Sequence, residues 1–391
     1  MSRYWMSAVL LAAAISYTGC WRAEEPHPPE TALFVSGADG YHTYRIPSLI
    51  VTKAGTVLAF CEGRKQSLAD SGDIDLLVKR SDDGGSTWSG QQIVWDDGPN
   101  TCGNPCPVID RRNGRIVLLS TWNRGDDHGH DLHRGAGKDT RRVFVLTSDD
   151  DGRTWSKPRQ ITAEVKEEDW WWYATGPGVG IQLRQEPHAG RLVIPSDHTS
   201  AKDNMSSHVI YSDDGGETWR RSTPIGPGCN ESQVVELADG TLLMNMRTQS
   251  FTGRERTGYR AISFSRDGGE TWSAPVPDKH LGDPQVQASL IRYSLASGGT
   301  RNRLLFCNPS PPIRRKPGKR VNLTVRLSYD EGKTWPVARV IHAGPSAYSC
   351  LTRLPDGEIG LLYEGGDKNA YENLLYTHFS LDWLTRGAGS R

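Results

Sequence analysis

The chain has 391 residues, with 46 basic and 46 acidic side chains and a formal net charge of zero. That balance excludes the broad basic footprint of a nucleic-acid binder and the acidic excess of a disordered, solvating chain. Thirteen tryptophans and 42 glycines suit many short strands joined by tight turns, in two average domains or one large β-domain.

From the N-terminus, residues 1–20 read as a targeting signal. Arg3 gives a weak positive start, and the apolar run from Met6 to Ile15 is too short to span a bilayer comfortably. It ends in Ser16-Tyr17-Thr18-Gly19-Cys20. This resembles the lipobox at which a bacterial lipoprotein is cleaved and its cysteine lipidated, although Tyr17 departs from the usual aliphatic residue. Ordinary secretion, with Cys20 a bystander, is the alternative. Either way export is expected, to the periplasm, the cell surface or the medium, with Cys20 a candidate lipid anchor. Residues 21–31 read as a tether and 32–391 as one domain.

Along that domain an octapeptide, Ser-x-Asp-x-Gly-x-Thr-Trp, occurs five times, starting at Ser81, Ser148, Ser212, Ser265 and Ser328. The starts are 67, 64, 53 and 63 residues apart, which suits one four-stranded antiparallel unit with a variable loop. A β-rich run precedes each copy, at 75–79, 142–147, 208–211, 259–264 and 323–327. Further runs lie at 115–121, 191–195 and 241–246, none of helical period. Each octapeptide should be a hairpin turn whose Ser and Asp bond backbone amides, whose Gly takes a positive φ and whose Trp packs on the sheet. Calcium is a poor reading: an EF-hand loop needs an acid at its twelfth position, and counting from Asp149 reaches Gln160. Two more runs, 359–363 and 374–379, carry no octapeptide. Closed by a strand near Leu33, they would complete an all-β, six-bladed β-propeller with no open sheet edges.

The octapeptides resemble the Asp-boxes of the sialidase (neuraminidase) superfamily. Non-catalytic propellers also carry such boxes, so the dispersed substrate residues are the sharper test. Tyr44-Arg45-Ile46-Pro47 resembles the family motif that supplies the first of three arginines, and Arg247 in Leu243-Met-Asn-Met-Arg247 resembles the second. Arg320 fits the third by position. Arg326 competes with it, and their even separation would put both on one face of a strand. The resemblance implies that the three clamp the carboxylate of sialic acid, a task suited to planar, bidentate guanidiniums.

That carboxylate would repel a carboxylate nucleophile, whereas tyrosine is neutral until a base takes its proton, and sialidases depart from the two-carboxylate scheme in this way. Tyr348 resembles the family nucleophile, Glu231 its partner base and Asp70 the acid/base group. Asp73 is the rival for the last role. Tyr363 is a weaker rival nucleophile, since Leu361-Leu-Tyr-Glu364 reads as a buried strand. Glu62-Gly63-Arg64 resembles the motif whose arginine lines the pocket, and Asn104-Pro-Cys-Pro107 a loop that touches the sugar. The matches run in family order from about Leu33 to Phe379.

The implied function is hydrolysis of terminal sialic acids from glycoconjugates, with retention through a tyrosyl-enzyme, using no cofactor and no metal. The alternatives are a catalytically silent glycan-binding propeller and a trans-sialidase or anhydro-forming enzyme of the same fold. A mere binder has no need of Tyr348, Glu231 and Asp70 together.

Other conspicuous residues receive duller readings. Cys61, Cys102, Cys106, Cys229, Cys307 and Cys350 fit no regular disulfide framework or zinc spacing. Cys102 and Cys106 could close a small loop, and buried free thiols are expected for most of the others. The His- and Asp-rich stretch from Asp126 to His133 looks like a metal cluster, but reads as a solvated, substrate-facing loop. Trp170, Trp171, Trp172 and Tyr173 could flank the pocket, though such rings more often belong to a core.

Overall fold

Strand accounts for 49% of the residues and helix for 4%, so apolar burial must come from sheet packed on sheet. The computed structural model describes residues 27–202, 204–249, 257–313 and 318–386. The apolar leader and Cys20 lie outside the described residues.

After β1 (Glu30–Val35) the strands come in antiparallel sets. The first comprises β2 (Thr43–Val51), β3 (Val57–Arg64), β4 (Ile74–Ser81) and β5 (Gln92–Trp95). The second, joined to the first by a single parallel pair between Ile74 and Thr101, comprises β6 (Thr101–Ile109), β7 (Ile116–Asn123), β8 (Arg142–Ser148) and β9 (Arg159–Gln160). In the third, β10 (Trp170–Thr175) and β11 (Ile181–Gln182) both pair with β12 (Leu192–Ser200), followed by β13 (Asn204–Ser212) and β14 (Arg220–Arg221). β15 (Cys229–Glu236), β16 (Leu242–Thr248), β17 (Tyr259–Ser265) and β18 (Val276–Gly282) form the fourth. Next come β19 (Ser289–Ser294), β20 (Arg303–Pro309), β21 (Val321–Ser328) and β22 (Val337–Arg353). The first part of β22 pairs with β21 and its last part with β23 (Ile359–Gly365), which leads to β24 (Asn373–Phe379).

β1 pairs with β24 from Glu30↔Thr377 onward, so the N-terminal strand is fastened to the C-terminal one. Pairing therefore already includes Glu30 and Thr31, at the end of the expected tether. Apolar clusters straddle sets consecutive in the chain and also join the last strands to the first. One runs from Cys106 and Val143 to Leu192 and Ile210; another ties Leu362 and Leu374 back to Leu49 and Val57.

The five octapeptides share one hydrogen-bond pattern, and each joins two consecutive antiparallel strands. In the first, Gly85 N donates to Ser81 Oγ (2.7 Å), while Thr87 N and Oγ1 donate to the Asp83 carboxylate (2.8 and 2.6 Å). The same triplet recurs around Asp150, Asp214, Asp267 and Asp330. The fourth and fifth positions are both left-handed, which is why the fifth is always glycine; Asp151 (φ 65°) and Glu331 (φ 63°) tolerate the fourth.

All six described cysteines are free and buried. Cys102 and Cys106 both lie in β6, and a strand advances roughly 3.3 Å per residue, so no disulfide closes between them.

Candidate active site

The leading strands β2, β6 and β15, and the second half of β22, each break register once. Pairing shifts between Arg45 and Ser48, between Gly103 and Cys106, between Cys229 and Ser232, and between Ser346 and Ser349. Asn104, Glu231 and Tyr348 fall inside these breaks and Arg45 at the edge of one. A bulge frees a residue from the ladder and re-aims its side chain. Ile46 (φ 60°) and Asn104 (φ 54°) are left-handed as a result. That is costly for β-branched Ile46, whose amide is held by Glu364 Oε1 at 3.0 Å.

Tyr348, 5% exposed, donates its phenol hydrogen to Glu231 Oε1. Arg247 Nη1 bridges the pair, 2.7 Å from Glu231 Oε2 and 3.1 Å from Tyr348 Oη. Burial, then the Glu231 charge, raise the phenol pKa well above its usual value, against the pull of Arg247, Arg320 and Arg45. The tyrosine is therefore protonated, with its hydroxyl aimed at the Glu231 carboxylate.

Arg45 lies over the rings of Tyr348 (5.1 Å) and Tyr371 (4.5 Å). Glu364 grips it bidentately, at 3.0 Å to Nε and 3.2 Å to Nη2, which leaves Nη1 facing Asp70 at 3.6 Å. The Asp70 side chain is 60% exposed and sits 2.8 Å from Arg64 Nη1. Partial enclosure raises its pKa, but the charges of Arg64 and Arg45 outweigh this and hold it below the usual aspartate value.

Arg64 is 2% exposed and brackets the Asp70 loop. Its Nη1 donates to the carbonyls of Leu68 and Ala69 (2.6 and 3.0 Å), and Nε and Nη2 to Glu62 (3.0 and 2.6 Å). Glu62 Oε1 in turn accepts Asn104 N at 2.8 Å. Asn104 thus joins the cluster through its backbone, while its side-chain oxygen accepts from Thr121 at 3.0 Å.

The two candidates for the third arginine reach different surroundings. Arg320 lies 5.8 Å from the Tyr348 ring and donates to Tyr371 Oη (3.0 Å) and Gln285 O (2.6 Å). Arg326 bonds Asn308 Oδ1 (3.2 Å) and Ser310 Oγ (2.5 Å). Their even spacing does not give them common neighbours. Arg320 precedes β21, and the register shifts twice between Val321 and Thr324, around left-handed Asn322 (φ 59°).

The rivals lie elsewhere. Asp73 pairs with Lys65 at 2.8 Å. With Asp75 and Asp96 it makes the carboxylate group, among the described residues, close enough to share a cation, and Lys65 Nζ already sits among the three. Tyr363 is fully buried and donates to Glu30 on β1. In the 126–133 stretch, Asp126 pairs with Arg124 and Lys138 (2.9 and 2.7 Å), and His133 stacks on Trp172 at 4.2 Å between centroids.

Three participants escaped the sequence reading. Glu364, with no exposed side-chain surface, supports Arg45 and also accepts Tyr348 N at 3.1 Å. A lone carboxylate in an apolar strand was the available signal, because a buried charge demands a partner. Asp197 is fully buried beside the site and accepts from Asn230 Nδ2 at 2.9 Å. Burial and the Glu231 charge push its pKa far up. The Arg141 guanidinium rests 3.8 Å over the Trp172 ring, and burial pushes it down to about 10.

Comparison with known proteins gives the family. The model of a BNR repeat-like domain matches residues 55–361. The chain is 38% identical over 374 residues to a sialidase of Micromonospora viridifaciens, covering 92% of this chain and 55% of that protein. It therefore spans about half the length of that relative. It is 31% identical to an exo-alpha-sialidase of Aspergillus fumigatus, over 98% of both chains. Among solved structures, the Hadza microbial sialidase Hz136 superposes with a TM-score of 0.80 and 31% identity, over 91% of this chain and 69% of that one. The fold is accordingly of the all-β propeller kind, and the chain belongs to the BNR-repeat sialidase family.

Proposed function

We infer that this chain is an exo-α-sialidase that removes terminal sialic acids from glycoconjugates with retention of configuration. One observation carries the reading: a buried tyrosine donates to a carboxylate that is itself held by an arginine, with Arg45 and Arg320 over the same ring. The sugar carboxylate would lie among Arg45, Arg247 and Arg320, which places the anomeric carbon at Tyr348 Oη. Glu231 takes the phenol proton as the Tyr348–carbon bond forms and the glycosidic bond breaks. Asp70 protonates the departing oxygen. In the second step Asp70 deprotonates a water, whose attack releases the sugar and returns the bonding electrons to Tyr348, which takes back its proton from Glu231.

The low pKa of Asp70 fits this sequence of events. The charges of Arg64, Arg45 and Arg141 keep it ionised, and a substrate carboxylate on Arg45 would offset part of that field, shifting Asp70 toward the proton it must donate. Release of fluorophore from a fluorogenic sialoside, with Tyr348→Phe as control, tests the reading. No release at any pH from about 4 to 8 would sink it.

The scaffold is read as six blades, closed where β1 joins β24. The support is the pairing of β1 with β24 and the apolar clusters that straddle successive sets. Export is read from residues 1–20, with Cys20 as the lipid anchor. Cys20→Ser should move the protein from the membrane to the soluble fraction, and an unchanged distribution would remove the anchor.

A further inference from the structure

The leading strands have a second end, and it also encloses a cavity. About 540 Å³ in volume, it is bounded by the far ends of β2, β6, β15 and β22, together with β11 and β19, so every set contributes to its wall. A buried polar layer separates it from the tyrosine site. Ser48 Oγ donates to Gly178 O at 2.8 Å, and Gln233 and Gln287 donate to Pro177 O at 3.2 and 3.1 Å. Gln287 also exchanges bonds with the backbone of Ser349, the residue after Tyr348.

The walls are apolar and the rim is cationic. Valine, leucine and isoleucine from the six strands line the throat, with Lys53, Arg111, Arg184, Arg292 and Arg353 around it and Glu236 as the acid among them. Two of these charges are already answered: Arg292 by Glu331, with Nη1 at 2.8 Å, and Glu236 by the amides of Arg184 and Gln185 at 2.8 and 3.0 Å. Arg111 donates only to carbonyls, those of Gln182 and Leu183 at 2.9 and 3.1 Å. Burial, then the facing charge of Arg184, push its pKa down against the opposing pull of Glu236 and Asp110. Arg353 lies 5.5 Å from the Tyr293 ring.

We propose that this second mouth binds a small amphiphilic anion, a carboxylate or sulfonate on an aliphatic or aryl body. The apolar throat takes the body, Arg111, Arg184 and Arg353 take the charge, and the volume falls in the range of about 300–1,000 Å³ typical of small-molecule sites. Free sialic acid is excluded as the occupant, because its hydroxyls would find no partners along the apolar wall.

The test is a fluorescence titration of the full chain with 8-anilinonaphthalene-1-sulfonate, with decanoate and free N-acetylneuraminic acid as competitors. One saturable site is expected, displaced by decanoate but not by N-acetylneuraminic acid, and retained in Tyr348→Phe. Arg184→Glu, on an exposed side chain, should weaken binding about 10-fold or more. Leu295→Trp, which fills the throat, should abolish it, with thermal denaturation showing that each variant folds. Non-saturable binding, displacement by N-acetylneuraminic acid, or wild-type affinity in Arg184→Glu would overturn the proposal. So would exclusion of the probe by a second copy of the chain seated on this face, as detected by sedimentation. None of these outcomes depends on whether the tyrosine site hydrolyses sialosides.

Discussion

The octapeptide turns and the tyrosine mouth are built from similar polar side chains, yet they satisfy them over very different distances along the chain. In a turn, Asp83 accepts from Thr87, four residues on, and the geometry repeats with its sequence. In the mouth, Arg45 is held by Glu364, 319 residues away, and Tyr348 by Glu231, 117 away. The turns therefore stabilise whatever sheet they close, whereas the mouth exists only when sets far apart in the chain are packed together. Substitutions in the mouth should move kinetics first, and substitutions in the turns should move stability alone.

The largest effect is expected at Tyr348. Tyr348→Phe should lower kcat/KM for a fluorogenic sialoside by about 10⁴-fold or more, as loss of a nucleophile does elsewhere, with the thermal midpoint nearly unchanged. Glu364→Gln comes next and blurs the division, because it leaves the buried Arg45 half-paired. A stability loss of about 3 kcal/mol in denaturant titration and a higher KM are expected together. If only KM moved, Glu364 would not be supporting the fold around the bulge.

The third arginine separates by KM. Arg320→Ala should raise KM about 10-fold by removing one partner of a buried carboxylate, and Arg326→Ala should leave KM unchanged. Equal effects would mean that the bulge at Asn322 does not divide them.

Acid should weaken the protein through its histidines. His133 is held down to about 4 by burial, then by the Arg141 charge, and His208 to about 3 by burial. Both folded values lie below the unfolded one, so this contribution is fully present above pH ~6.5 and is lost as pH falls from there toward the folded values. Thermal midpoints should fall between pH ~7 and ~4.5, and His133→Gln should remove part of that slope, about 1–2 kcal/mol at pH ~5. The smallest effect belongs to the turns. Ser212→Ala deletes the acceptor of Gly216 N and should cost about 1 kcal/mol with kcat and KM unchanged. A kinetic change there would break the comparison.

Much of this was legible in the chain itself. The octapeptides marked their turns because each is complete within eight residues, and the strand runs at 142–147, 259–264 and 374–379 fall inside β8, β17 and β24. Arg45, Arg247, Tyr348, Glu231 and Asp70 were legible through motif resemblance, and the structure brings these five together. Glu364, Asp197 and Arg141 were missed because their partners are distant in the chain: the lone carboxylate in an apolar strand signalled that Glu364 needs a partner, but nothing local names which one. Parity misled for Arg320 and Arg326, since period-2 alternation assumes an unbroken ladder and a bulge breaks it.

By itself, then, the sequence determined the strand runs and the turns, which are written in patterns of about ten residues or fewer, and the period of the sets through the recurrence of those turns. The tertiary structure decided which ends of the leading strands converge, where the register breaks, and that one mouth presents a tyrosine among arginines while the other presents an apolar throat rimmed with cations. Those features rest on side chains hundreds of residues apart, and only the closing of β1 onto β24 brings the first of them to the last.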